Sequence, residues 1–155
     1  MSRSPTRGIK ADGKWAICLP CEPTRRRSAQ GPLSVLAWIR GGAPGQVIFA
    51  HDRGANRLKA AAKGELSTEL KSTRSGPLVS SSTITDGVWH RVGLVWDGSH
   101  RILYVDGAEV ARDTPMGVLA SAGGLIIGGP ATATSGTFWK GLIDDVRIYD
   151  RAVKP

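Results

Sequence analysis

The sequence is poor in cysteine, with only Cys18 and Cys21 among its 155 residues. A structural zinc site needs four ligands, and neither a second C-x-x-C pair nor an H-x3–5-H pair accompanies this one. A thioredoxin-type redox motif would open a helix after a strand, whereas Cys18 lies within an apparent strand. We therefore interpret both thiols as structural, and the sequence offers no disulfide framework that would indicate secretion.

Long apolar runs are absent as well. The longest, such as VLAWI (35–39), is far shorter than the roughly 20 residues that span a membrane, so we expect no membrane insertion. The positively charged N-terminus is not followed by the apolar segment of a secretory signal. Two locations stay open: extracellular if a signal has been removed, or a virion if the sequence is complete.

Catalytic motifs are missing too, since neither G-x-S-x-G nor the phosphate loop G-x-x-x-x-G-K-[ST] occurs. Retaining glycoside hydrolysis needs two carboxylates about 5–5.5 Å apart. The glutamates are isolated, and Asp144 and Asp145, as neighbours on one strand, would point to opposite faces. His90 shares its parity with the apolar Val92 and Leu94, which predicts a hydrogen-bonded structural histidine. The sequence therefore predicts a protein that is not an enzyme.

What the sequence has in excess is positive charge, a formal +8 at pH 7. Residues 1–75 hold 14 Lys and Arg against five Asp and Glu, whereas residues 76–155 hold seven against eight. The one basic run is Arg25, Arg26 and Arg27, in a predicted loop. Because arginine forks bind carboxylate and sulfate groups, we expect these residues to contact an anionic glycan or an acidic protein or assembly surface. A merely solvated loop is the alternative.

Turn residues and alternating apolar residues predict many short strands and no helix. The clearest stretch, residues 85–113, predicts a three-strand meander with turns at Asp97-Gly98 and Asp106-Gly107. We expect residues 1–12 to form a flexible lead-in and the polar residues 72–82 to form a loop. The other predicted strands are 14–20, 33–40, 46–52, 57–62, 66–71, 125–129 and 138–153. This spacing indicates a sandwich or a barrel.

The motifs W-H-x-V-x-L-V-x-D-G (89–98), L-Y-V-D-G (103–107) and G-L-I-D-D-V-R-I-Y-D-R-A (141–152) resemble laminin-G-like domains of the concanavalin A-like lectin and glucanase superfamily. This resemblance implies an all-β fold, a two-sheet antiparallel jelly-roll sandwich, as one domain over residues 13–155. We expect Trp38, Val92, Leu94, Val105 and Ile148 to share its core.

The resemblance also implies a structural calcium, with Asp144 as a ligand. Asp144 shares its parity with Val146 and Ile148, and if that side faces the core the buried carboxylate needs a partner. Calcium takes six to eight oxygen ligands, many of which backbone carbonyls can supply. A hydrogen bond from backbone N–H groups or an ion pair with an arginine would serve instead.

A ligand surface at the loops or on a sheet face is a further implication of the resemblance. Trp15 and Trp139 flank predicted loops and are candidate aromatic platforms, with packing inside the sandwich as the alternative for each. We expect Trp38 and Trp96 in the core. The function so predicted is a non-catalytic carbohydrate- or ligand-binding module of the adhesion or lectin-like type. The alternative is a structural component of a larger assembly, such as a phage capsid decoration or a tail-fibre module, and a homo-oligomer would fit it.

The basic run gives a first testable prediction. Exposed charge contacts are screened by salt, with a Debye length near 8 Å at physiological ionic strength. Binding of an acidic partner should therefore weaken as salt rises, and substitution of Arg25, Arg26 and Arg27 by serine should flatten that dependence in a titration series. Affinity that is indifferent to both changes would place the interface elsewhere.

Overall fold

The computed structural model describes residues 17–19, 31–51, 56–70, 75–116, 124–130, 132 and 135–155. The candidate ligand residues Trp15, Arg25, Arg26 and Arg27 lie outside these ranges, as does the expected lead-in. Every regular element within them is a β-strand. A search of the same ranges finds no helix that could span a membrane.

Eleven strands build the described part of the chain. They are β1 (Ile17–Leu19), β2 (Leu33–Gly41), β3 (Val47–His51), β4 (Asn56–Ala60), β5 (Glu65–Thr68), β6 (Leu78–Thr83), β7 (Trp89–Trp96), β8 (Arg101–Val105), β9 (Ala108–Asp113), β10 (Leu125–Ile127) and β11 (Gly141–Tyr149). The predicted meander is confirmed as β7, β8 and β9. Its second turn has positive φ at both Asp106 (53°) and Gly107 (81°), as a tight type I′ hairpin turn requires.

The strands form two antiparallel sheets. The six-stranded sheet has the order β1-β10-β3-β4-β5-β6, and the five-stranded sheet has the order β11-β2-β7-β8-β9. Side chains of both sheets meet in one apolar core. The two-sheet antiparallel sandwich expected from the sequence is therefore confirmed.

Successive side chains of β2 and β7 point alternately to the core and to the outer face of the five-stranded sheet. The odd-numbered Val35, Ala37 and Ile39 of β2 and the even-numbered Val92 and Leu94 of β7 lie in the core, each at most 1% exposed. Because successive side chains of a strand point to opposite faces, the even positions of β2 and the odd positions of β7 form the outer face.

The predicted common core is correct for Val92, Leu94 and Val105 and wrong for two residues. Trp38 has even parity on β2, so it lies on the outer face and is 38% exposed. Ile148 is 49% exposed because β11 is the edge strand of its sheet.

The expected loop at 72–82 is wrong in part, because residues 78–83 form β6. This strand pairs only with β5 at the edge of its sheet. Its sequence, LVSSST, is mostly polar. An edge strand needs fewer apolar side chains than a covered one, which is why its hydrophobicity gave no strand signal.

Among the described residues, one charged side chain is fully buried in the sandwich. Arg101 on β8 is 1% exposed, and its guanidinium pairs with Asp113 of β9. Its Nη1 and Nη2 also donate to the carbonyl oxygens of Leu70, at 2.7 Å, and Gly76, at 2.9 Å. The buried charge is thus compensated and joins both ends of the 70–76 segment to the five-stranded sheet.

Trp139 packs where glycine backbone leaves room for its indole. It is 8% exposed and belongs to the main core. A Cβ added at Gly42, whose φ is +78°, would lie 2.4 Å from the indole ring, and one at Gly141 would lie 2.2 Å from the carbonyl oxygen of Arg40. The core position of Trp139 therefore depends on glycine at positions 42 and 141, where a larger residue would not fit.

Gly42→Ala is expected to destabilise the fold more than Gly45→Ala. Both glycines have positive φ, but a Cβ at Gly45 meets nothing within 4 Å. The matched control should cost about 1 kcal/mol through backbone strain alone. Gly42→Ala should add roughly 1–3 kcal/mol for displacing the Trp139 ring. Urea unfolding measures both, and equal losses would contradict the packing described.

Candidate functional site

Two tryptophans and two arginines form a block on the outer face of the five-stranded sheet. Trp38 of β2 pairs with Arg91 of β7, and Arg40 of β2 pairs with Trp89 of β7. All four positions have the outward parity. Directly opposed residues have Cβ atoms about 4.5–5.5 Å apart, so these side chains are neighbours. We call them the Trp–Arg block.

Both indoles of this block are open to solvent. Trp38 is 38% exposed and Trp89 is 40% exposed. The neighbouring edge strand adds Leu142, which is opposite Arg40 and 56% exposed, and Asp144, which is opposite Trp38 and exposed. Together with Leu142 and Asp144, the Trp–Arg block therefore forms an amphipathic patch in which aromatic, cationic and anionic groups lie close together.

The chain after β11 covers the adjacent part of the same face. Ser34 Oγ donates to the carbonyl oxygen of Arg151 and accepts from the N–H of Val153, both at 2.8 Å. A Cβ at Gly93 would lie 3.3 Å from Pro155 and 2.7 Å from Leu36. Leu36, whose parity is also outward, is buried next to this segment.

Arg40 is held in place by a turn at the end of the sheet. Its Nε donates to the carbonyl oxygen of Gly87 at 2.8 Å. Asp86 fixes that turn, because its Oδ1 accepts from the N–H of Val88 at 3.1 Å and contacts His90 Nε2 at 3.0 Å. The orientation of one arginine of the block thus depends on a small hydrogen-bond network behind it.

His90 connects two turns through two carboxylates. Its Nδ1 lies 2.8 Å from Asp106 Oδ2, and Asp106 Oδ1 accepts from the N–H of Arg91 at 2.8 Å. Burial lowers the pKa of His90, but the hydrogen bonds with Asp106 and Asp86 outweigh it and raise the pKa overall. The hydrogen-bonded structural histidine expected from the sequence is what the structure shows.

The sequence matches the family model of the Concanavalin A-like lectin/glucanases superfamily over residues 15–155. The chain belongs to this superfamily. No curated protein sequence matches it significantly.

Solved structures with similar folds include the native heptameric SAP-like pentraxin of Limulus polyphemus, with a TM-score of 0.60 and 22% identity. The IT-sialidase CBM40 of Ruminococcus gnavus matches with a TM-score of 0.61 and 14% identity. The binding domain of Paraclostridial Mosquitocidal Protein 1 matches with 0.60 and 14%.

These matches cover 79%, 81% and 89% of this chain, respectively. The chain spans 65% of the pentraxin, 79% of the CBM40 and 38% of the mosquitocidal binding domain. At such identities the likeness establishes the shared fold alone.

The structure decides the positions of two tryptophans. Trp139 was a candidate surface platform with a packed position as the alternative, and the platform reading is wrong, because its ring is buried against Gly42 and in contact with the core. Trp38 was expected in the core and is instead the exposed centre of the patch. Trp96 is in the interior as expected, 5% exposed, in a small cluster with Leu70.

The buried setting expected for Asp144 is also wrong. A β-bulge lies between Asp144 and Arg147, with φ of +45° at Asp145, so Asp144 and Val146 point to different faces. The Asp144 carboxylate is exposed and accepts a 2.7 Å hydrogen bond from the N–H of Asp145.

The surroundings of Asp144 hold no cluster of acidic side chains within the described ranges. Among the described residues no three His, Cys, Asp or Glu side chains lie together as a metal cluster. The neighbouring Asp145 carboxylate pairs with Arg147 Nε at 2.9 Å. A structural calcium at Asp144 stays a prediction, and backbone carbonyl oxygens would have to supply many of its ligands.

The described glutamates lie on different parts of the sandwich. Glu65 lies in β5 and Glu69 directly follows that strand, so the two are four residues, or roughly 13 Å, apart along the chain, and Glu69 pairs with Lys59. Glu109 lies in the other sheet and pairs with Arg112. The separations that hydrolysis uses are about 5–9.5 Å.

Stability should fall with pH through the titration of His90. A pKa raised in the folded state stabilises the fold fully below the unfolded value of about 6.5, and this contribution is lost as pH rises through the higher folded value. Urea unfolding from pH 6 upward should therefore show a decline that His90→Gln lacks. Parallel pH profiles for the two proteins would contradict this linkage.

Proposed function

We propose that this domain is a non-catalytic, lectin-like carbohydrate-binding module whose glycan lies on the Trp–Arg block. The observation that carries the proposal is the joint exposure of Trp38 and Trp89, at 38% and 40%, on neighbouring strands of one sheet face. The IT-sialidase CBM40 of R. gnavus supports the carbohydrate class by its similar fold.

The chemistry of the block suits a sugar. An indole offers a flat apolar surface at low conformational cost, and the apolar face of a pyranose ring packs on such a surface. Hydroxyl groups at the ring's rim need polar partners, which Arg40, Arg91 and Asp144 supply around Trp38. Apolar contact with a few convergent polar groups is typical of small-ligand sites.

Self-association of the domain through this face is the second candidate function, and the exposure of Leu142 favours it. This residue extends the apolar part of the block to the edge strand β11 and is 56% exposed. Together with the heptameric state of the Limulus pentraxin, this exposure supports a homo-oligomer through this face. A role in a larger assembly, such as a phage capsid decoration or a tail-fibre module, rests on the sequence argument alone.

Trp38→Ala and Trp89→Ala should each weaken glycan binding at least about tenfold, as expected for exposed aromatic anchors. A glycan array identifies the ligand, and isothermal titration calorimetry measures the affinities. Val79→Ala is the matched control, because Val79 is 46% exposed on β6 of the other sheet. Its affinity should equal that of the wild type.

Sedimentation velocity of the same variants separates the two candidates. Glycan binding by a monomer, lost in both tryptophan variants, supports the lectin-like proposal. If the protein binds no glycan on the array and forms oligomers that dissociate when Trp38 or Trp89 is replaced, the lectin-like proposal is overturned in favour of self-association.

A further inference from the structure

The charges of the Trp–Arg block have a defined arrangement around Trp38. Across the strands β11, β2 and β7, the outer face carries Asp144, Trp38 and Arg91 in one row. The next row carries Leu142, Arg40 and Trp89. Both cations therefore lie on the β2–β7 side, and the one anion of these rows lies on the edge strand.

We propose that the module selects acidic sugars, whose carboxylate or sulfate group is held between Arg40 and Arg91. This inference rests on the carbohydrate-binding function proposed above and names the class of glycan. Arg40 and Arg91 are diagonal neighbours across β2 and β7, a separation that long side chains can bridge. Two guanidinium groups that converge on one anion provide forked, charge-assisted hydrogen bonds.

Both arginines have donors available for such a group. Arg40 uses its Nε for the carbonyl oxygen of Gly87, which orients the guanidinium and leaves its two Nη groups. Within the described part of the chain, no ion pair or side-chain hydrogen bond engages the Arg91 guanidinium. An oriented donor set costs less to order on binding than a mobile one.

The nearby carboxylates do not neutralise these arginines by direct contact. Asp106 is engaged by His90 and by the backbone N–H of Arg91. Asp86 is engaged by His90 and by the N–H of Val88.

Asp144 gives the bound sugar a direction. Its exposed carboxylate repels an anionic group on the β11 side of Trp38 but accepts hydrogen bonds from hydroxyls there. A sugar stacked on Trp38 therefore turns its acidic group towards β7 and its hydroxyls towards β11. The block thus discriminates both by charge and by orientation.

The test compares oligogalacturonates with their methyl esters, two ligands that share one backbone and differ in charge. Sulfated galactan oligosaccharides form a second anionic arm, and neutral galactan oligosaccharides form a neutral one. Arg91→Gln should weaken the preferred anionic arm at least about tenfold and leave the neutral arms unchanged. Arg112→Gln, which removes the same charge from β9, is the matched control and should change nothing.

Preference for carboxylated or for sulfated ligands, lost in Arg91→Gln, supports the inference and identifies the anionic group. Equal affinity for charged and neutral arms, still dependent on Trp38, would overturn the charge selection while leaving the carbohydrate-binding function intact. Absence of binding in every arm and on the array would refute the proposed function itself. Circular dichroism of Arg91→Gln confirms that a loss is not caused by unfolding.

Discussion

The core and the candidate site both depend on one constraint, which is that successive side chains of β2 and β7 point to opposite faces of their sheet. These neighbouring strands pair over eight residues, so the register of one fixes the faces of the other. A shift by one residue would bring Trp38 into the core and expose Ile39, which is fully buried. The core therefore stabilises the very register that exposes the Trp–Arg block. Binding chemistry on such a face is rigid because a whole sheet, and not a loop, positions it.

Much of this fold was predictable because local chemistry and global architecture agree. Asp106-Gly107 tolerates the positive φ of its turn, and the strands on either side alternate or are fully covered. Prediction failed where neighbouring strands decide the outcome. β6 is polar because it lies at a sheet edge, and the bulge after Asp144 changes the side on which the following residues lie. Neither a strand's position in its sheet nor an inserted residue has a periodic signal in the sequence.

The site was harder to predict than the fold, for a physical reason that Trp38 and Trp139 illustrate. Residues 35–39 are apolar at both parities, so periodicity cannot tell which side of β2 is covered. The segment after β11 lies over Gly93 and binds Ser34, whereas Trp38 on the same face is exposed. Trp139 is buried because Gly42 leaves space for its ring. Contacts between residues far apart in the sequence decide both outcomes, and no local pattern contains them. The basic run at Arg25, Arg26 and Arg27 lies outside the described residues and stays a prediction.

Residues of the motif that indicated the family also hold the turns next to the Trp–Arg block. His90 joins the Asp86 turn to the Asp106 turn, and the carbonyl oxygen of Gly87 in the first turn orients Arg40. The same stretch that specifies the meander thus also orients Arg40 in the Trp–Arg block. Because such a network is satisfied without any ligand, a resemblance carried by it indicates the fold and leaves the ligand open. The proposed ligand selection depends instead on the exposed indoles of Trp38 and Trp89 and on the Arg91 guanidinium, which no ion pair engages within the described part of the chain.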